Sequence, residues 1–356
     1  MKSKVWFCPV ENAEPVAAVK AKLSRLIEAS SVLSCVGTKG LAAVKLHFGE
    51  EGNTGYVNPE YVGVICGAIA GRGALPFVSD ANTLYKGRRT KSADHIQLAY
   101  EHGFTPQIVH AGIDIPDDDV KENTVDVPVN GKFIRVAKIA LPYVSADALV
   151  VVTHFKGHLL TGFGGSIKNV GMGCATRQGK LAQHSDLSPV VTVKKCNACQ
   201  SCIQVCPVKA ITLKDGKAFV DSAKCIGCAS CIAACKYYAM EVDWEAGGER
   251  VSQKMVEYAG AVLTPKKGKT AFFNFATRIT AECDCLAKNE PSIAPDAGIF
   301  ASADPVAIDK ASYDMVLKKA GKDVFAQAHP KRGGFAHLEY AAGLGLGSLD
   351  YELVLV

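Results

Sequence analysis

Two copies of one cysteine pattern constrain this chain more than any other feature of its sequence. Residues 196–207 read C-N-A-C-Q-S-C-I-Q-V-C-P, and residues 225–235 read C-I-G-C-A-S-C-I-A-A-C. Each copy has three cysteines separated by two residues and a fourth cysteine after three more. Such short and regular spacing in a chain of this length indicates thiolates that bind a metal-containing group.

The first copy, with Pro207 after its last cysteine, resembles the cluster-binding run of bacterial two-cluster ferredoxins. In that run three cysteines bind one cubane cluster and the fourth binds the other. Structural zinc, which needs only four cysteines, and disulfides are the alternatives. Lys236 stands where a second proline would match Pro207, and its charge is expected to raise a cluster's potential. The resemblance implies two [4Fe-4S] clusters, the first bound by Cys196, Cys199, Cys202 and Cys235, the second by Cys206, Cys225, Cys228 and Cys231.

The overall composition predicts a cytoplasmic protein with no membrane span and no nucleic-acid partner. The formal net charge is +5, but eight thiolates around two cubane cores would add about −4. No basic run is interleaved with aromatic residues, so nucleic acid is not the expected partner. The sequence has 14 cysteines and no export signal or long apolar window, which predicts reduced thiols and no membrane span.

Strands and helices alternate on both sides of the cysteine region. The apolar run 148–153 predicts a strand that is covered on both faces, and His154 follows it. This alternation predicts an α/β domain with a mostly parallel, helix-covered sheet, interrupted by a small α+β ferredoxin-like domain. We therefore divide the chain into a first α/β part at 1–187, the insert at 188–243 and a second α/β part at 244–356.

Several polar residues follow predicted strands, where open α/β sheets usually bind ligands. Single residues at strand ends more often cap or face solvent, but their common position favours a shared site. We expect one sheet edge to carry His47, Asp80, His154, the segment 283–285 and Asp304, with His47, Asp80 and Asp304 as cofactor-binding candidates.

A glycine-rich segment from His154 to Cys174 supplies further candidates. His154 and His158 are four residues apart and would share a face if the segment is helical. The glycines allow exposed backbone amides that suit an anion or cofactor, although the spacing matches no nucleotide-binding motif. A turn that packs against the insert is the alternative. The catalytic candidates here are His154, His158, Lys168 and Cys174, and the cofactor-binding candidates are Gly164, Gly165 and Asn169.

Cys283 and Cys285 are the remaining catalytic candidates. On a strand, residues two apart face the same side, so both thiols would point at one ligand. Together with His154, His158 or His184 they would bind a further metal or a small cofactor or substrate. Free thiols near a redox centre are the alternative.

Several of these stretches resemble the domain-of-unknown-function 362 family. The similar segments are K-L-H-F-G-E around His47, V-S-D-A-N-T around Asp80, the run from Thr153 to Gly173, E-C-D-C from Glu282, and A-D-P-V-A-I-D-K-A around Asp304. The resemblance covers most of the chain and implies an iron–sulfur protein with a ferredoxin insert at this position. The layout also has a faint similarity to lactate-racemase-type nickel proteins, with too few matched residues to transfer catalytic roles.

These observations predict an iron–sulfur redox protein that passes low-potential electrons through two clusters to a site or partner at the α/β domain. If the sheet edge transforms a substrate, the chain is an iron–sulfur oxidoreductase with a redox partner protein. The alternatives are a non-enzymatic electron carrier or assembly module, and a metal-dependent enzyme whose clusters are structural or sensory.

Overall fold

An eight-stranded sheet forms the centre of the computed structural model, which describes residues 2–85, 87–184, 188–242, 248–332 and 334–356. The strands of the described residues are β1 Ser3–Pro9, β2 Leu41–Lys45, β3 Leu75–Ser79, β4 Gly112–Ile113, β5 Thr124–Pro128, β6 Val136–Ala140, β7 Ala148–His154, β8 Lys156–His158, β9 Gly162–Gly164, β10 Val190–Val191, β11 Ile211–Lys214, β12 Lys217–Val220, β13 Met240–Glu241, β14 Thr270–Ala276, β15 Gly298–Ser302 and β16 Tyr351–Leu355. The order in the central sheet is β16-β1-β15-β14-β7-β2-β3-β4. All neighbours in it are parallel except β15, which is antiparallel to both β1 and β14.

Helices cover both faces of this sheet. The α-helices of the described residues are α1 Val16–Ser30, α2 Pro59–Gly71, α3 Ser92–Glu101, α4 Pro106–Val109, α5 Leu141–Ser145, α6 Ser166–Gly171, α7 Arg177–His184, α8 Ser201–Gln204, α9 Ser230–Ala234, α10 Gly248–Leu263, α11 Pro305–Ala320, α12 Val324–Ala328 and α13 Ala336–Gly343. Side chains of α1 and α2 pack on one face, and those of α6, α10 and α11 pack on the other. The predicted mixed α/β fold with a mostly parallel central sheet is therefore confirmed.

Strand β7 shows why the sheet needs two helical layers. All seven of its residues are buried. Leu149 and Val151 belong to the core on the α10 side, whereas Val150 and Val152 belong to the core on the α1 side. Because successive side chains of a strand point to opposite faces, a continuous apolar run buries both faces of the sheet at once.

The cysteine region forms a smaller unit with its own hydrophobic core. Two antiparallel strand pairs, β10–β13 and β11–β12, flank the short helices α8 and α9. Its core includes Cys202, Ile211, Cys231, Ile232 and Met240. We call residues 188–242 the small domain; the expected boundaries at 187 and 243 lie outside the described residues.

Asp304 does not lie on the expected edge of the sheet. Because β15 is antiparallel to its neighbours, its last residue, Ser302, pairs with Phe272 near the start of β14. His154, by contrast, pairs with Phe275 near the end of β14. The expectation that Asp304 shares an edge with His154 is therefore wrong.

No described helix is both long and apolar enough to serve as a membrane span.

Candidate functional site

Two cavities in the small domain are each lined by four cysteines. Within the described part of the chain, no three histidine, cysteine or acidic residues are grouped so that they could hold a single metal ion. The first cysteine cavity is lined by Cys196, Cys199, Cys202 and Cys235, and the second by Cys206, Cys225, Cys228 and Cys231.

The two cysteine motifs fold as two copies of one unit. The motifs begin 29 residues apart, at Cys196 and Cys225. The same shift of 29 residues places β10 on β12 and β11 on β13, so the two strand pairs also correspond. Left-handed backbone conformations recur at matching positions, which shows that equal cysteine spacing produces equal loop geometry. These matching pairs are Ala198 and Gly227, Gln200 and Ala229, and Lys209 and Tyr238.

Backbone amides point at the sulfur atoms of both copies. The amide of Ala210 donates to Cys206 Sγ, and the amide of Ala239 donates to Cys235 Sγ, both at 3.2 Å. Two further amides, those of residues 218 and 227, donate to Cys196 and Cys225 at 3.4 Å. Hydrogen bonds of this kind stabilise negative charge on sulfur, which suits thiolate ligands.

The small domain is packed against the α/β domain through two leucines. Leu84, in the loop after β3, and Leu181, in α7, belong to the same hydrophobic core as the cysteines. The Gln178 side chain also donates to the carbonyl of Ile226, which lines the second cysteine cavity. Leu84 immediately precedes Tyr85, so the loop that enters the small domain's core also reaches the sheet edge described next.

A network of buried and partly buried charged and polar side chains lies at the carboxyl ends of β2, β3 and β7, and we call it the charged edge. It consists of Lys45, His47, Glu50, Asp80, Tyr85, Arg89, His95, His154, Lys156, Lys168, Asn169, Lys180, Cys283, Asp284 and Cys285.

Asp80, directly after β3, is surrounded by cationic groups. Its Oδ1 atom accepts a hydrogen bond from Lys45 Nζ at 3.0 Å. Its Oδ2 atom has no hydrogen-bond partner among the described residues and lies 3.8 Å from both Arg89 Nη1 and His95 Nε2. Burial alone would raise the pKa of Asp80, but the charge of Lys45, with smaller contributions from its other neighbours, lowers it. The carboxylate therefore stays ionised.

Arg89 connects Asp80 to the loop after β2. Its Nε atom donates to Glu50 at 3.1 Å, and its Nη2 atom donates to the hydroxyl of Tyr85 at 3.0 Å. Its Nη1 atom lies 3.0 Å from Nε2 of His47. Burial first, and the charge of Arg89 second, lower the pKa of His47 well below its ordinary value. The imidazole is therefore neutral at pH 7.

His154, at the end of β7, pairs with Asp284. Its Nδ1 atom lies 2.9 Å from Asp284 Oδ1, and Lys156 Nζ lies 3.1 Å from Asp284 Oδ2. Burial would raise the pKa of Asp284, but the charges of His154 and Lys156 outweigh it and hold the pKa below its ordinary value. Gly55 leaves room for this pair, because a Cβ there would stand 2.6 Å from Asp284 Oδ1.

The two cysteines beside Asp284 lie in a turn and not on a strand, so the strand-based expectation for them is wrong. The amide of Leu286 donates to the carbonyl of Cys283 at 3.0 Å, which closes a β-turn over 283–286. The turn brings the Cys285 thiol within hydrogen-bond distance of Cys283. Lys168 Nζ lies 3.6 Å from Cys283 Sγ. The described residues do not bring these thiols together with His154, His158 or His184 as ligands of one ion.

The remaining histidine candidate, His158, lies on β8, so the expected helix face shared with His154 does not exist. Its Nδ1 atom lies 3.0 Å from Thr161 Oγ1. Burial, and then the charges of Lys168 and Lys156, lower the pKa of His158 well below its ordinary value. His158 is therefore a neutral imidazole beside the lysines of the charged edge.

Among the candidates of the glycine-rich segment, Asn169 joins the charged edge. Its Oδ1 atom accepts from Lys45 Nζ at 2.8 Å. Burial raises the pKa of Cys174 to about 12, so this side chain is a buried thiol and not a nucleophile. Gly164 leaves space for Lys168, because a Cβ there would stand 3.2 Å from Lys168 Cδ.

Gly165 and Asp304 have structural contacts. A Cβ at Gly165 would stand 2.3 Å from Asp309 Oδ1, and this carboxylate accepts hydrogen bonds from the first amides of α6. Asp304 Oδ1 accepts from the amides of Val306 and Ala307, both at 2.9 Å. Gly165 therefore leaves room for the carboxylate that caps the first turn of α6, and Asp304 caps the first turn of α11.

Several members of the charged edge were not candidates from the sequence. The residues missed are Lys45, Glu50, Tyr85, His95 and Lys180. Lys45 gives the clearest signal that was available, because it is a charged residue inside an otherwise apolar strand. Lys180 Nζ donates to two carbonyls at 2.8 Å, and burial lowers its pKa to about 8.

The fold and the site define a mixed α/β protein with a large, mostly parallel sheet and a buried charged network at one edge of it. Over residues 42–314 the chain matches the family described as "Domain of unknown function (DUF362)", and it belongs to that family.

Two solved structures are similar to the chain. One is the lactate racemase apoprotein from Thermoanaerobacterium thermosaccharolyticum, with 13% identity and a TM-score of 0.41 over 77% of this chain and 51% of that one. The other is a structural-genomics protein from Thermotoga maritima, with 12% identity and a TM-score of 0.41 over 94% of this chain and 60% of that one. The chain thus spans less than two thirds of either structure, and no curated protein matches it.

Proposed function

We propose that the chain is an iron–sulfur redox protein whose small domain, a ferredoxin-like 2[4Fe-4S] unit, holds two [4Fe-4S] clusters. The observation that carries this proposal is the grouping of eight cysteines into two cavities of four. Each cavity takes three cysteines from one motif and the last cysteine from the other, and four thiolates are what one such cluster requires. The proposed ligand sets are therefore the two sets of cavity-lining cysteines.

The surroundings of the cavities fit a cluster that is bound as a dianion. The amides directed at Cys196, Cys206, Cys225 and Cys235 would stabilise the thiolate charge. From 188 to 242 the sequence has seven lysines and three acidic residues, so the excess of four positive charges offsets the roughly −4 of two bound clusters. When bound, each cluster would supply one-electron transfer at low potential.

The charged edge is the proposed destination of these electrons, which makes the chain an iron–sulfur oxidoreductase. Leu84 packs in the core that contains the cysteines, and the hydroxyl of its neighbour Tyr85 donates to the carbonyl of Cys285 at 2.7 Å. A continuous protein path therefore joins the small domain to the proposed catalytic residues. A carrier that only docked through the α/β domain would not need this connection.

A redox partner protein is proposed to dock on the small domain. Val193, Ile226 and Tyr238 are about half exposed there, with fractions of 56%, 48% and 55%. The part of the small domain that carries these side chains is the proposed docking surface, because an apolar patch accessible to solvent suits a protein contact.

An anaerobic reductive titration followed by EPR tests this proposal. We expect the full-length chain to take up about one electron per cluster at a potential on the order of −400 mV. The spectrum should show two interacting [4Fe-4S]⁺ centres. The Cys35→Ser variant is the matched control, because Cys35 lies outside the small domain, and it should titrate like the unmodified chain. A chain that lacks these signals, or titrates far above this range, would contradict low-potential transfer.

A further inference from the structure

The turn over residues 283–286 places two thiols side by side within the charged edge. Cys283 occupies the first position of the turn and Cys285 the third, and the Cys285 thiol lies within hydrogen-bond distance of Cys283. Tyr85 holds this turn from one side through the carbonyl of Cys285. The Glu50 amide holds it from another side through the carbonyl of Asp284, at 2.9 Å. The two sulfur atoms are therefore kept adjacent by contacts from distant segments.

The charges around these thiols favour a single negative charge on the pair. Lys168 Nζ lies 3.6 Å from Cys283 Sγ, and Lys156 contributes a second positive charge nearby. The hydrogen bond from Cys285, followed by these lysines, lowers the pKa of Cys283 well below its ordinary value despite burial. The same hydrogen bond raises the pKa of Cys285. In the reduced pair these shifts favour the negative charge on Cys283 and the proton on Cys285.

We propose that Cys283 and Cys285 are a redox-active dithiol that stores two electrons received one at a time from the small domain. In the oxidised state an S–S bond joins the two sulfur atoms. Two electrons and one proton break that bond and leave a thiolate at Cys283 and a thiol at Cys285. The electron donors are the two iron–sulfur clusters of the small domain, so this inference rests on the proposed function.

The arrangement of the chain matches this two-electron chemistry. Two one-electron centres supply the number of electrons that one disulfide needs. The path from the small domain through Leu84 and Tyr85 ends at the backbone of Cys285. Cys283 is buried, with 3% of its surface exposed, whereas Cys285 is partly exposed. The pair can therefore exchange electrons inward and react with a thiol or disulfide from the solvent side.

The first experiment measures the thiol–disulfide equilibrium of the pair directly. The full-length chain is equilibrated anaerobically in dithiothreitol buffers of defined oxidised-to-reduced ratio, alkylated and analysed by peptide mass spectrometry. We expect Cys283 and Cys285 to lose their reactive thiols together at one ratio, while Cys35 stays reduced throughout. Thiols that oxidise separately, or never form an intrachain disulfide with each other, would overturn the inference.

Lys168 variants test whether the charge of this lysine sets the thiol–disulfide equilibrium of Cys283 and Cys285. Lys168→Met removes a positive charge that favours the thiolate of the reduced form. The variant should then be half oxidised at a ratio of oxidised to reduced dithiothreitol that is roughly tenfold lower. Lys168→Arg keeps the charge and should stay near the unmodified chain. Equal ratios for Lys168→Met and the unmodified chain would contradict the role of this charge.

The second experiment tests whether the clusters feed the pair. The chain is oxidised anaerobically with oxidised dithiothreitol, freed of it, and then reduced by coulometric titration without added thiols, beside the Cys283→Ser variant treated in the same way. We expect about four electrons for the unmodified chain and about two for the variant, with equal EPR signals. Equal uptake by both would overturn the coupling. Loss of the EPR signals from both proteins would instead refute the clusters, while the dithiothreitol equilibrium would still report on the pair.

Discussion

The small domain and the charged edge reach their chemistry by opposite routes. In the small domain, all eight cavity-lining cysteines come from 40 consecutive residues, and their spacing determines the geometry. The charged edge instead assembles Lys45, Asp80, His154 and Asp284 from segments that lie far apart in the chain. The cysteine spacing can therefore be recognised in the sequence as a motif. The charged edge cannot, because it depends on the order of the strands and on which of them are parallel.

The two regions also handle charge differently. In the small domain, backbone amides and surface lysines offset the charge of thiolates. At the charged edge, buried ions offset one another: Lys45 and Asp80 expose about 1% and 3% of their side chains. Buried pairs of this kind contribute little net stability when intact but cost several kcal/mol when one partner is removed.

The largest expected effect is the loss of one cluster from the small domain when a ligand is removed. Cys235 belongs to the second motif but lines the first cavity, so Cys235→Ser should remove the first cluster and about half of the iron. Its EPR spectrum should match that of Cys199→Ser and differ from that of Cys228→Ser. A spectrum like that of Cys228→Ser would contradict the interleaved ligand sets.

The next largest effect is the loss of stability when a buried ion pair of the charged edge is removed. Lys45→Met would leave Asp80 and the Asn169 amide oxygen without the ammonium at 3.0 and 2.8 Å. We expect the free energy of unfolding to fall by about 3–5 kcal/mol in urea denaturation. Lys138→Met is the control, because its pair with Asp126 is exposed and should contribute less than about 1 kcal/mol. Similar losses for both variants would contradict the distinction.

A third prediction concerns pH and a buried histidine outside both regions. Burial lowers the pKa of His337 to about 4, against an ordinary value of about 6.5. Between these values the unfolded chain binds a proton that the folded chain does not, so stability is lost as the pH falls through this window. From pH 7 to about pH 4.5, His337→Phe should therefore lose about 2–3 kcal/mol less than the unmodified chain. Parallel stability curves for the two proteins would refute this assignment.

The smallest effect sharpens the comparison at the junction of the two regions. Leu84 is 2% exposed and packs in the core of the small domain, although it belongs to the α/β domain. Leu84→Ala should cost about 2 kcal/mol and increase amide hydrogen exchange at both cysteine motifs. Leu84→Met keeps most of the volume and should leave exchange nearly unchanged. Unchanged exchange in Leu84→Ala would show that the two regions are energetically independent.

The sequence was most informative where structure follows from short-range patterns. The strand over the apolar run 148–153 was predicted from its composition alone. The direction of β15 was not predictable, since it depends on a long connection from residue 277 to 297, and this misplaced Asp304. The turn over 283–286 was missed for a similar reason: the contacts that hold it, from Tyr85 and Glu50, are remote in the chain.

At the charged edge, the histidines and aspartates that follow strands were identifiable, because the loops after parallel strands all lie at the same edge of the sheet. Lys180 was not, because a lysine is normally expected at the surface, and the signal from Lys45 in an apolar strand was missed. The partner groups of Asp80 and Asn169, which lie far away in the chain, explain why Lys45 is buried at the end of β2.

The most direct test of the account is the iron and acid-labile sulfide content of the full-length chain purified without oxygen. Two four-iron clusters held by the eight cysteines require about eight iron and about eight sulfide atoms per chain, with a brown colour that fades on reduction. A colourless protein that contains about two zinc ions and no sulfide would contradict it.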